Sequence, residues 1–174
     1  PRKIFIPIPT FSEYASAGAD AGSEVVTLSL KERDGFRLDP VETAFAFRGV
    51  DMAFLCNPNN PTGQLIPKAD MLEIMRYSQE HGIRLVIDES FMDFIGSESI
   101  VKEAVQASNV ICIRAFTKFF GMPGLRIGYA VSDEATIAAL REGQEPWTVS
   151  IPAERAAIAA LNDWGHIKKT LRLI

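Results

Sequence analysis

The sequence predicts an α/β protein built on a mostly parallel sheet, and three observations carry that prediction. Short apolar runs alternate with longer amphipathic ones along the chain. Several short runs are apolar at both alternations, the pattern of strands covered on both faces. Turn-rich segments follow successive strand candidates, at the carboxyl ends where open α/β sheets bind ligands.

In chain order, Lys3 to Ile8 reads as a strand, and Phe11 to Ala21 as a helix with Ala and Tyr at helical spacing, stopped by Gly22. Strands follow at Glu24 to Leu30 and Asp51 to Cys56. Pro67 to His81 reads as a helix with proline in its first turn, Met71, Ile74 and Met75 on one side, and Gly82 just past its end. Arg84 to Asp88, Val110 to Ile113 and Arg126 to Val131 are further strands. Asp133 to Arg141 reads as a helix with an acidic cap. Gln144 to Ser150, with Pro146 and Trp147, reads as a hinge, and the alanine-rich stretch from Ile151 as a helix. Residues 1–143 are thus expected to form one body, and 144–174 the hinge and first helix of a following domain. The chain opens at Pro1 inside an apolar run and stops at Ile174 inside a helical pattern, so a fragment of a longer polypeptide is expected.

At 174 residues and 47% hydrophobic content, the chain is long enough for one domain with a substantial core. A net charge of -4 and a pI near 5.3, with no concentrated basic face, argue against a nucleic-acid partner. The longest apolar runs, Met52 to Cys56 and Val110 to Ile113, are strand-sized and do not suit a membrane span. No signal peptide is visible. Cys56 and Cys112 lie far apart in apolar runs and read as buried free thiols of a cytoplasmic protein. His81 and His166 lack companions at ligand spacing, so no metal site is expected.

The chemistry concentrates in Arg114-Ala-Phe-Thr-Lys-Phe-Phe-Gly-Met-Pro-Gly-Leu-Arg-Ile-Gly-Tyr129. Lys118 follows a strand candidate among apolar neighbours, where an amine can lose its proton and attack a carbonyl. Arg126 offers a planar fork of donors suited to a phosphate. The two preceding strand candidates end in Asn57-Pro-Asn-Asn-Pro-Thr-Gly63 and Asp88-Glu-Ser-Phe91. Each segment alone is an ordinary turn or cap. Three at consecutive strand ends read as one site.

These motifs, Asn-Pro-Thr-Gly, Asp-Glu, and Thr-Lys followed by Gly-Leu-Arg-Ile-Gly-Tyr, resemble the large domain of pyridoxal-phosphate enzymes of the aspartate-aminotransferase fold type, the class I/II aminotransferases. Within them the chain most resembles the group of histidinol-phosphate aminotransferases and threonine-phosphate decarboxylases, from Pro9 to about Tyr129. The resemblance implies a three-layer α/β/α fold with pyridoxal 5'-phosphate as cofactor. It implies that Lys118 forms a Schiff base and moves protons, and that Asp88 pairs with the ring nitrogen. Asn60 would donate to the phenolic oxygen, Phe11 would stack on the ring, and Thr117 and Arg126 would bind the phosphate. Taken alone, Phe11 reads equally as a core aromatic and Thr117 as a strand-end hydroxyl. The resemblance further implies a cis Asn60–Pro61 bond, a homodimer when full length, and a small phosphorylated amino acid or amine as substrate. A phosphate-cradling turn would precede Pro1 and a small domain would follow Ile174, so this chain alone is expected to bind cofactor poorly and not to turn over.

Two departures stand out. Phe91 takes the place where many aminotransferases carry a tyrosine whose hydroxyl reaches the ring oxygen, and Ala115 the place of a hydroxyl that donates to the phosphate. Phe91 and Pro123 lean toward threonine-phosphate decarboxylase, with histidinol-phosphate aminotransferase as the alternative. A non-catalytic aminotransferase-like domain of a transcription regulator is a further alternative. A dinucleotide-binding protein is disfavoured, because the glycines at 121, 124 and 128 lack the required spacing.

Overall fold

In the computed structural model, which describes residues 1–174, six strands form one sheet flanked by helices. The strands are β1 (Lys3–Ile8), β2 (Glu24–Ser29), β3 (Met52–Cys56), β4 (Arg84–Asp88), β5 (Val110–Ala115) and β6 (Gly128–Val131). The helices are α1 (Glu13–Asp20), α2 (Pro40–Ala46), α3 (Lys68–Glu80), α4 (Val101–Ala104), α5 (Glu134–Glu142), α6 (Ile151–Asn162) and α7 (Trp164–Leu171). The sheet order is β2-β1-β3-β4-β5-β6, with β1 to β5 parallel and β6 antiparallel to β5. The expected α/β class with a mostly parallel sheet is therefore present.

Strand alternation sends the two sets of side chains to opposite faces. Phe5, Ala53, Leu55, Leu85, Ile87, Val110 and Cys112 join Phe47, Met71, Ile74, Ile100 and Ala104 in the larger buried cluster, beneath α3 and α4. Ile4, Ile6 and Cys56 pack with Tyr14 of α1 in a smaller one on the other face. The approach of α1 is close. A Cβ added at Gly18 would collide with Ile4 Cδ1, so either the helix or that buried side chain would have to shift.

Two sequence expectations are corrected here. The strand expected from Arg126 begins only at Gly128, because Arg126 has a φ of 52° and turns the chain instead of extending it. Gly128 then brings β6 so near β5 that an added Cβ would meet the Arg114 carbonyl at 2.7 Å. The strand expected to stop at Ile113 continues to Ala115, where β6 pairs with it. Helices α2 and α4 were not expected from the pattern, and the helical stretch expected from Ile151 to the chain end is divided at Asp163 into α6 and α7. Residues 144–150 form an exposed irregular stretch between α5 and α6. No helix is long and apolar enough to cross a membrane.

Candidate active site

The carboxyl ends of β3, β4 and β5 open onto a cleft of about 310 Å³. Phe11, Asn60, Asp88, Thr117, Lys118 and Arg126 all line it, together with Tyr14, Cys56, Ser90, Phe91, Ala115 and Pro123. Every site residue expected from the sequence is thus brought to one place.

Local structure explains why Asn60 is the asparagine that faces the cleft. Asn57 is buried and grips the returning arm of its own loop, donating to Ile66 O (3.2 Å) and accepting from Ile66 N (2.8 Å). Asn59 accepts from Thr10 Oγ1 (2.6 Å) and donates to Pro9 O (3.0 Å) and Thr62 Oγ1 (2.8 Å). Those bonds fasten the β3 loop to the segment carrying Phe11. Asn60 alone keeps a side chain that no protein group engages, and it lines the cleft. The Asn60–Pro61 bond is cis, as the resemblance implied, and so are Ile8–Pro9 and Asn57–Pro58.

Asp88 ends β4 half-buried, its two oxygens oriented by neighbours. Oδ1 accepts from Ser90 N (2.9 Å) and Oδ2 from the Tyr14 hydroxyl (2.7 Å). Tyr14 was not expected from the sequence. Its ring stacks on Phe54, with centroids 5.6 Å apart, and meets the edge of Phe11 at the same distance. Burial, reinforced by the Asp88 charge, pushes its phenol well above the ordinary value, so Tyr14 stays protonated and keeps donating. Burial likewise raises the Cys56 thiol on the same wall.

Lys118 is exposed in the turn after β5, between the buried rings of Phe116 and Phe119. Its Nζ lies 5.6 Å from the centroid of Phe91, within reach of a cation–π contact. Phe91 therefore presents a flat apolar surface to the amine. Arg126 Nη1 donates to Pro123 O (3.0 Å), which curls the glycine-rich turn back on itself and leaves the rest of the guanidinium open. Ala115 contributes only a methyl group to the cleft.

A ring with a nitrogen, a phenolic oxygen, a carbonyl and a phosphate needs a carboxylate, an amide, an amine, a hydroxyl or guanidinium, and a flat apolar face. The cleft holds one or more of each, so its donor set fits pyridoxal phosphate.

Fold and cleft together describe an α/β protein whose reactive groups stand at consecutive strand ends. The family profile for aminotransferase class I and II matches residues 1–172, and the chain belongs to that pyridoxal-phosphate-dependent family. It is 40% identical over 166 residues to the threonine-phosphate decarboxylase of Salmonella typhimurium, covering 94% of this chain and 45% of that protein. It is also 40% identical over 166 residues to a histidinol-phosphate aminotransferase of Desulfitobacterium hafniense, covering 91% of this chain and 44% of that one. The histidinol-phosphate aminotransferase of Sinorhizobium meliloti, solved in complex with pyridoxal-5'-phosphate, superposes with a TM-score of 0.86 at 25% identity, covering 97% of this chain and 46% of that one. The chain thus spans about half the length of these relatives.

Proposed function

We propose that this chain carries the pyridoxal-phosphate site of an enzyme acting on a phosphorylated amino acid or amine, and that the reaction is the decarboxylation of threonine phosphate. Residues 1–143 would be part of the large domain, with 144–174 leading into a small domain. The observation that carries the reading is the convergence of Phe11, Asn60, Asp88, Thr117, Lys118 and Arg126 on one cleft.

When bound, pyridoxal phosphate supplies an electron sink for a bond broken at the carbon bearing the substrate amine. Asp88, oriented by Tyr14 and Ser90, would keep the ring nitrogen protonated. Lys118 would anchor the cofactor through Nζ and, once displaced by substrate, move a proton at that carbon. Asn60 would donate to the phenolic oxygen and Phe11 would cover one face. Thr117 and Arg126 would hold the phosphate, the arginine through its remaining donors.

Phe91 and Pro123 favour decarboxylation, since both line the cleft and both match the decarboxylase pattern better than the aminotransferase one. Histidinol-phosphate transamination is the second reading, supported by an equal overall identity to a relative of that name. The full-length protein is proposed to be a cytoplasmic homodimer.

The test reconstitutes the full-length protein with pyridoxal phosphate. The visible absorption band of lysine-bound cofactor should form and should vanish in Lys118→Ala. A band that survives that substitution rules out the anchor. Threonine phosphate should then yield carbon dioxide. Glutamate formed from histidinol phosphate and 2-oxoglutarate, without carbon dioxide from threonine phosphate, would transfer the assignment to the second reading.

A further inference from the structure

Beside the cleft lies a largely buried ion cluster, Arg114 with Glu89 and Asp93, none of which lines the cleft. Arg114, on β5, has only 9% of its side chain exposed, and Glu89 has none. Arg114 Nη1 donates to Glu89 Oε2 (2.8 Å) and to Ser99 Oγ (3.2 Å), while Nη2 donates to Asp93 Oδ1. Glu89 also accepts from Ser99 Oγ (2.7 Å) and from Ile100 N (2.8 Å). Arg114 Nε is buried without a partner, so the two Nη groups alone hold the guanidinium.

Position gives this cluster its meaning. Glu89 stands between Asp88 and Ser90, Asp93 lies just beyond Phe91, and Arg114 immediately precedes Ala115. Every one of those neighbours lines the cleft. The β4–β5 ladder ends at the pair Asp88–Ile113, and Glu89 N still donates to Ile113 O at 2.8 Å. Past that point the chain leaves the sheet, and the Arg114 fork carries the connection on to Asp93. Burying such charges is costly, and well-packed apolar groups would stabilise the fold as well or better. What apolar groups would not supply is direction. A planar fork bonded to two carboxylates fixes the rotation of the segment between them.

We infer that Arg114, paired with Glu89 and Asp93, is a positioning residue that holds the Asp88–Phe91 segment in register with Thr117 and Lys118. The inference rests on the cofactor reading above. Burial alone would lower the Arg114 pKa, but Asp93 and Glu89 outweigh it and hold the guanidinium above its ordinary value. The guanidinium therefore stays charged.

The test uses the full-length protein with pyridoxal phosphate and compares wild type with Arg114→Lys and Asp93→Asn. Lysine keeps the charge but has no fork to span two carboxylates. Asparagine at position 93 keeps the shape, at a partly exposed site that tolerates it, and carries the test should Arg114→Lys not fold. Three quantities are read: the cofactor dissociation constant, the pH midpoint of the visible band, and the urea midpoint of the cofactor-free protein. We expect the dissociation constant to rise roughly tenfold, as for disruption of a coupled network. The band midpoint should be displaced as well, because Asp88 engages the ring nitrogen less well. Variants that lose stability but keep the wild-type dissociation constant and band midpoint would overturn the inference alone. A wild type that forms no band would overturn the cofactor reading and this inference with it.

Discussion

At Tyr14 one hydroxyl joins two parts of the cleft that are 74 residues apart in sequence. It donates to Asp88, while its ring leans on Phe54 and on Phe11. Tyr14→Phe keeps the packing and removes a donor to a carboxylate. We expect a loss of about 1.5–3 kcal/mol, read as a lower urea midpoint at unchanged slope, and weaker cofactor binding in the full-length protein. Lys118 and Arg126 were legible from the strand-end run itself, whereas Phe11, Asn60, Asp88 and Thr117 took their expected roles from the family resemblance. Tyr14, Glu89 and Asp93 were not legible, because their roles come from partners that only the sheet brings near. Tyr14 looks like any apolar-face residue of α1. Glu89 looks like a solvated acid until Arg114 is seen beside it.

Among the elements, α1 makes the sharpest prediction. Gly18→Ala should cost about 1–3 kcal/mol through overpacking against Ile4. Adding Ile4→Val removes the Cδ1 atom that the new methyl group meets, so the double variant should recover part of that loss. Equal urea midpoints for Gly18→Ala and wild type would mean that the helix sits farther from β1. Strands β1 to β4 were legible to within one residue at either end, β1, β3 and β4 because they lie inside the parallel sheet and carry apolar runs. Helix α2 was hidden although Asp39 caps it through Val41 N (2.9 Å) and Glu42 N (3.0 Å). Its large apolar residues, Val41 and Phe45, are exposed, so its pattern carries no core-facing stripe. Helix α4 is a single turn, too short to show a periodicity. The start of β6 was misread because a left-handed arginine leaves no mark in an apolar pattern.

Over the whole molecule the shifted groups fall into two sets with opposite consequences. Asp51 is held low by the backbone amides of Lys3 and Arg2, Glu103 by Lys68, and Asp133 by Thr136 in its role as the cap of α5. Their folded values lie below their unfolded ones, so their contribution is complete above the ordinary carboxylate range and is lost as pH falls through the folded values. Tyr14, Cys56 and Cys112 are raised, chiefly by burial. Their contribution is complete below the ordinary thiol and phenol values and declines as pH rises beyond them. The urea midpoint should therefore be flat between about pH 5 and 8 and fall on both sides. Asp133→Asn keeps a capping side chain and should flatten the acid limb, whereas Tyr14→Phe should flatten the alkaline one. The order of strands in the sheet has a further consequence, for heredity. Five of the six candidate side chains lie from Asn60 to Arg126, at or after the ends of strands adjacent in both chain and sheet, and the sixth, Phe11, follows the neighbouring β1. A single recombination event downstream of Arg126 would transmit this cleft lining whole while exchanging everything beyond it. The six candidate side chains would then be inherited on one continuous stretch of coding sequence, from Phe11 to Arg126.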